Sequence, residues 1–189
     1  MNKMTTIKRL TICAACIALC YVLPLAFHSV GLGKVLSPLH LPVLLCGMVC
    51  GGGYGLFCGL AGPLLSSVLS GMPGPIGLIT MVPELMTYGL MTGLAMKYIR
   101  TGRIITDLYI SLILSMVIGR IAGGIAQLFA IYCVGIDSAF SIAIWINSYF
   151  IGTFPGILCQ LILIPALVLT LEKAKVIPNR YHKVGVVYE

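Results

Sequence analysis

The stretch from Asp107 to Val134 constrains the fold more than any other part of the chain, because it is apolar and long enough to cross a bilayer. One arginine, Arg120, lies deep within it. A charge at bilayer depth costs a few kcal/mol and normally faces a protein interior or a water-filled cavity. Glu84, in the apolar stretch from Leu78 to Met96, is placed in the same way. These two residues are therefore the leading candidates for a polar site inside a helical bundle.

The composition indicates that the chain is a membrane protein. Its 189 residues are 59% hydrophobic and 9% charged, whereas about a quarter of the residues in soluble domains are charged. At about 20 apolar residues per crossing, this length allows roughly six helices with short loops and no soluble domain. We expect an all-α integral membrane protein, with residues 1–189 forming a single membrane domain.

Six apolar segments are separated by turn residues or by basic residues. They predict six transmembrane helices, at about residues 10–27, 40–51, 54–69, 78–96, 107–134 and 142–171. Between the second and third segments, Gly47, Gly51, Gly55 and Gly59 would line one face of a continuous helix. The triplet at residues 51–53 favours instead a turn that separates two helices.

The basic residues indicate the topology. Of the twelve Lys and Arg residues, ten fall on the side of the two chain ends, Lys34 falls on the other side and Arg120 lies between. Cytoplasmic loops carry an excess of Lys and Arg, so both termini are expected in the cytoplasm. Because these residues lie between and after apolar runs, the net charge of +7 does not predict a nucleic-acid partner.

Polar and aromatic residues converge on the outer half of the last three helices. Together with a residue at the start of the second helix, the candidate substrate-binding residues are His40, Glu84, Tyr88, Arg120, Gln127, Trp145 and Asn147. A few placed polar groups in an apolar and aromatic setting are typical of a small-molecule pocket. Two alternatives stay open. Glu84 and Arg120 could pair only with each other across a helix interface, and a histidine at a helix start is more often an interfacial residue.

Sequence motifs argue against an enzyme. The chain has no zinc-protease, hydrolase or ATP-binding signature, and no catalytic residue, metal or cofactor is expected. Most of its eight cysteines lie in apolar segments, where a thiol behaves as a small hydrophobe. Two further alternatives are a membrane thiol oxidoreductase using Cys13 and Cys16, and a structural or assembly subunit that binds no small molecule.

An ordered set of segments resembles the substrate-binding S components of energy-coupling factor (ECF) transporters, and this resemblance covers essentially the whole chain. The segments are Ala14-x-x-x-Ala18, HLPVLLCG (40–47), GLAGPLLSSVLSGMPG (59–74), PELMTYGLMTGL (83–94), IGRIAGG (118–124) and FPGILCQLILIP (154–165). The resemblance implies a six-helix bundle in a prokaryotic plasma membrane that captures a vitamin or other micronutrient from outside.

The same resemblance implies partners and roles for residues. A transmembrane coupling subunit would contact Ala14 and Ala18, and two cytoplasmic ATPases would drive the bundle to topple and release its substrate inside. Glu84, Arg120 and Asn147 would be pocket residues by location. A carboxylate can accept two N–H groups from an aminopyrimidine or guanine-like edge, whereas arginine suits a carboxylate or carbonyl. We expect a heteroaromatic vitamin, a vitamin precursor or a modified base, with pantothenate as the rival.

Overall fold

The computed structural model describes residues 4–29, 38–134, 145–147 and 151–178. Within these ranges the chain is helical and contains no strand. Its long helices are α1 (Thr6–Ser29), α2 (His40–Cys50), α3 (Gly52–Ser70), α4 (Pro75–Tyr98), α5 (Ile104–Val134) and α6 (Phe154–Lys173).

Five of these helices are long and apolar enough to cross a membrane, and α2 is the shorter one. This confirms the prediction of an all-α integral membrane protein. The eleven residues of α2 extend only about 16 Å, roughly half the thickness of a hydrocarbon core. The count of six spans and the cytoplasmic placement of both termini remain predictions.

Five of the six helix starts differ from the sequence prediction, and a proline accounts for the differences at α4 and α6. Helix α4 begins at Pro75, in the first helical position after Gly74, where the missing N–H of proline has no cost. Helix α6 begins at Phe154, with Pro155 in its first turn. Gly152 and Thr153 form a turn before it, so residues 145–147 are not continuous with α6. Part of the predicted segment, at residues 142–144 and 148–150, lies outside the described residues.

A glycine turn separates α2 from α3, as the second interpretation predicts. Gly51 has φ +101°, a conformation that glycine adopts without strain. The flanking glycines pack directly on α4, because a Cβ on Gly47 or Gly55 would collide with the carbonyl of Gly89. Glycine at both sides of a contact lets helix backbones approach closely. Helices α2 and α3 are therefore held against α4 by their main chains.

Buried cysteines fill the space between α1, α2 and α3. Six of them are free and buried: Cys13, Cys16, Cys20, Cys46, Cys50 and Cys58. Cys46 and Cys13 donate to the carbonyl of Tyr54 at 3.6 and 3.7 Å. These thiols pack as small core side chains whose weak donors are directed at main-chain carbonyls.

Several helix ends meet at one end of the bundle, which we call the basic end. Arg9 at the start of α1, Lys97 at the end of α4 and Arg100 just beyond α4 lie around one cavity there, beside the turn at Gly51. These residues are far apart in the sequence. The alternating direction of the helices therefore gathers three of the chain's twelve Lys and Arg side chains at one level.

Candidate functional site

Helix α4 presents a buried polar face. Glu84 and Tyr88 lie four residues apart, so their side chains stack on the same side of the helix. Their exposed fractions are only 5% and 1%. Thr92 continues this face by one more turn and donates to the carbonyl of Tyr88 at 2.6 Å. Burying a carboxylate at this depth requires partners from other helices.

The partner from α2 is His40. Its Nε2 lies 3.4 Å from Oε1 of Glu84, and its ring meets the ring of Tyr88 edge-on, with centroids 5.0 Å apart. The contact is an ion pair when the imidazole is protonated and a hydrogen bond when Nε2 carries the only ring proton. His40 is 7% exposed and belongs to the polar interior instead of the bundle surface.

The partner from α5 is Arg120, which is 4% exposed. Its Nε donates to the hydroxyl of Tyr88 at 3.2 Å. The ring of Tyr88 in turn meets His40, which contacts Glu84. The two charges singled out in the sequence are thus linked through Tyr88 and His40. We call His40, Glu84, Tyr88 and Arg120 the polar array.

Glycines on α5 make this arrangement possible. A Cβ on Gly119 would lie 2.6 Å from Cδ1 of Tyr88, and one on Gly123 would lie 3.0 Å from Oε2 of Glu84. Both distances are shorter than ordinary contacts between carbon or oxygen atoms. The missing side chains therefore provide the space into which the polar face of α4 packs.

Two further residues extend the polar array: Gln127 on α5, and Trp145, which packs against α5. Trp145 is half-buried, and its indole Nε1 would lie 2.7 Å from a Cβ on Gly124. Oε1 of Gln127 is buried, and no described residue donates a hydrogen bond to it. The side chain of Asn147 is exposed, so the structure does not bring Asn147 into the array. Thr92 is a buried polar residue that sequence reasoning missed, although its spacing from Tyr88 could have indicated it.

A separate apolar groove lies between α1 and α3. It has a volume of about 460 Å³. Its lining residues are Leu10, Cys13, Ala14, Ile17, Gly53, Tyr54 and Phe57. Ala14 thus lies in a concave surface, and Ala18, one turn further along α1, is also exposed. Small residues at this spacing let another helix approach closely.

Neither the array nor the groove has the chemistry of a metal centre. Among the described residues, no group of three or more His, Cys, Asp and Glu side chains could hold a metal ion. The array instead combines a carboxylate, a guanidinium, an imidazole and a phenol. Such a set can recognise donors and acceptors on a small molecule.

Comparison with known families identifies the chain. The family model for the ECF transporter, substrate-specific component, matches residues 8–172, which covers both the polar array and the groove. No curated protein and no solved structure matches the chain. Members of this family are transport subunits that capture a substrate in the membrane, and they are not enzymes. With its apolar helices and its buried polar array, this multi-pass membrane protein belongs to the substrate-specific components of ECF transporters.

Proposed function

We propose that the chain captures a small water-soluble micronutrient at the polar array and delivers it to the cytoplasm of a prokaryotic cell. Its partners are a transmembrane coupling subunit and two ATPases of an ECF module. The observation that carries the proposal is the convergence of His40, Glu84, Tyr88 and Arg120 from three helices in one buried layer. Ionisable groups at such depth are otherwise rare and are associated with substrate pathways.

The chemistry of the array favours a heteroaromatic substrate. Glu84 accepts N–H groups, Arg120 donates to carbonyls or carboxylates, and Trp145 offers a ring surface for stacking. The buried Oε1 of Gln127 adds an acceptor that no described residue satisfies. Leaving such a group unpaired costs about 1–3 kcal/mol. A hydrogen bond from a ligand N–H group to this oxygen would therefore favour binding. A heteroaromatic vitamin, a vitamin precursor or a modified base fits these requirements. Pantothenate is the alternative, bound through its carboxylate to Arg120.

Binding requires one contact of the array to open. The separation of 3.4 Å between His40 Nε2 and Glu84 Oε1 exceeds the usual N–H···O distance of about 2.9 Å. The contact from Arg120 to Tyr88 is shorter, at 3.2 Å. The substrate therefore inserts between His40 and Glu84, where it replaces the weaker interaction with hydrogen bonds of its own.

The substrate is not released along the bundle axis. Gly47, Gly55 and Gly89 pack their backbones together on the side of the array that faces the basic end. Such contacts leave no room for a solute to pass. The whole bundle instead topples to expose the array to the cytoplasm, with the coupling subunit docked in the groove at Ala14 and on Ala18.

The first test is the small molecule that the protein retains. The chain is purified from cells grown in rich medium and denatured, and released compounds are identified by mass spectrometry. Glu84→Gln serves as the matched variant because it keeps the size of the side chain. A stoichiometric vitamin or base, present in the wild type and depleted in the variant, supports capture at the array. A ligand at a thousand times its dissociation constant also adds roughly 4 kcal/mol of stability.

Two results would contradict the proposal. The first is the absence of any retained compound together with no thermal shift across a panel of vitamins and bases. The second is equal retention of a compound by the wild type and by Glu84→Gln. The first result favours a structural or assembly subunit, in which the array satisfies only its own buried charges. The second places the substrate site elsewhere in the chain.

A further inference from the structure

A second polar cavity lies at the basic end, away from the polar array. Its volume is about 630 Å³. Three cationic side chains line it, Arg9, Lys97 and Arg100, together with one carboxylate, Glu172. We call it the basic cavity. The proposed capture of a micronutrient makes no use of it.

The described part of the chain offsets the three positive charges of the basic cavity with only one carboxylate, Glu172. There, no carboxylate forms a salt bridge with Arg9, Lys97 or Arg100. Nε of Arg9 is buried and has no hydrogen-bond partner among the same residues. Nζ of Lys97 lies 5.2 Å from the ring centroid of Tyr98. Buried polar groups are nearly always hydrogen-bonded, so an anion that reaches this Nε would satisfy a donor that the described residues leave open.

The main chain adds to this positive field. Helix α3 begins at Gly52, and Gly51 and Gly53 line the basic cavity beside it. The residue before the helix, Gly51, makes no side-chain cap. The first N–H groups of a helix lack acceptors within the helix and carry a partial positive charge. Together with three cations, they favour an anion with several oxygen acceptors.

The remaining walls of the basic cavity are apolar. They include Met48, Val49, Leu94, Val168 and Ile177. A small hydrated anion would contact only the cationic side, whereas an amphipathic molecule would use both. Basic pockets between membrane helices bind the head groups of anionic lipids, and arginine binds phosphate oxygens through paired hydrogen bonds. We propose that the basic cavity binds the phosphate of an anionic phospholipid from the leaflet at the basic end, with the glycerol and upper acyl carbons against the apolar walls.

The test counts bound lipid on the full-length chain in neutral detergent by native mass spectrometry. Dioleoylphosphatidylglycerol is titrated against dioleoylphosphatidylcholine, and inorganic phosphate is added in a separate arm. The variants are Arg9→Gln and Arg100→Gln. Arg103→Gln is the matched control, because Arg103 is an exposed cation close to Arg100 that does not line the cavity. Arg100 is exposed as well, so its variant tests the cavity even if Arg9→Gln fails to fold.

We expect one phosphatidylglycerol to be retained in preference to phosphatidylcholine. Its affinity should fall roughly tenfold in Arg9→Gln or Arg100→Gln, as expected for the loss of a charge-assisted hydrogen bond, and should be unchanged in Arg103→Gln. Equal retention of the two lipids, or an equal loss in Arg103→Gln, would overturn the proposal. Binding of inorganic phosphate without preferential retention of phosphatidylglycerol would assign the cavity to a soluble phosphate. Binding of neither probe, with Arg9 and Arg100 instead required for co-purification of the coupling subunit, would assign it to an acidic protein segment.

Discussion

Arg120 contacts the polar face of α4 at the hydroxyl of Tyr88, because its Nε donates to Oη of Tyr88 at 3.2 Å. Both side chains are almost completely buried. A guanidinium is planar and keeps its charge at this depth, so its direction is set by the acceptors it finds. The hydroxyl of Tyr88 therefore helps to determine which way the positive charge faces within the array.

Replacing Tyr88 by phenylalanine removes that acceptor and keeps the ring against Gly119. We expect Tyr88→Phe to fold and to bind the retained ligand at least roughly tenfold more weakly, because a hydrogen bond to a charged group contributes about 1.5–3 kcal/mol. Equilibrium binding and thermal melting measure the two effects. Tyr132→Phe is the control, since Tyr132 lies on the exposed side of α5. An equal loss of affinity in the two variants would contradict a specific role for Tyr88.

Truncation of Arg120 separates transport from structure. Arg120→Ala is expected to weaken uptake strongly and to leave the folded bundle largely intact, because the lost charge serves the substrate. If the charges were only a structural pair, the variant would lose expression and folding in step with uptake. Uptake by a complete importer, together with the yield of monodisperse protein, distinguishes the two outcomes.

The contact between His40 and Glu84 predicts energetic coupling between α2 and α4. In a double-mutant cycle with His40→Gln and Glu84→Gln, melting of the ligand-free protein should give a coupling energy of about 1 kcal/mol. The control cycle combines His40→Gln with Glu172→Gln, whose carboxylate lines the basic cavity. The changes in the free energy of unfolding caused by these two substitutions should add within about 0.5 kcal/mol. Additivity in the first cycle would show that the 3.4 Å contact contributes nothing to stability.

The glycine contacts predict a large difference between two similar substitutions. Gly89→Ala places a Cβ against the carbonyl of Gly55 and should destabilise the bundle by about 1–3 kcal/mol through overpacking. In Gly53→Ala nothing lies within 4 Å of the added Cβ. This variant should be neutral or slightly more stable, since alanine is favoured over glycine in a helix. Thermal melting in one detergent compares them, and equal melting temperatures would mean that α3 and α4 do not meet through their backbones.

The groove between α1 and α3 predicts a variant that binds but does not transport. Ala14→Leu fills part of the surface proposed for the coupling subunit, so ligand binding should persist while uptake by the complete importer is lost. Ala15→Leu adds the same bulk to an exposed position that does not line the groove, and it should keep both activities. Loss of binding and uptake together in Ala14→Leu would remove the assignment.

Apolar length and charge placement could predict the helical membrane fold and the polar face of α4, and the glycine triplet at residues 51–53 could predict the turn between α2 and α3. Sequence periodicity tells which side of a helix is polar but not which helix covers it, so the joining role of Tyr88 could not be predicted. The position of His40 was ambiguous for a related reason. A helix that spans the bilayer would begin at its surface, whereas the short α2 begins within the bundle interior.

The prediction for Asn147 depended on a continuous last helix. Counting residues along such a helix places Asn147 in the same layer as Arg120. The turn at Gly152 and Thr153 interrupts such a helix, and the side chain of Asn147 is exposed. The basic cavity could not be predicted for another reason. Its cations come from distant parts of the chain, and their pattern in the sequence indicates only topology.

The contact of Gly89 with Gly47 and Gly55 also determines which changes in length the chain can accept. Gly89 lies five positions after Glu84, so the glycine contact sets the angle at which the carboxylate faces His40. One residue inserted between them would turn Glu84 by about 100° around α4 while Gly89 stays in place. Side chains of the array can therefore be exchanged as substrates change, whereas insertions and deletions between residues 84 and 89 would separate the carboxylate from its partners.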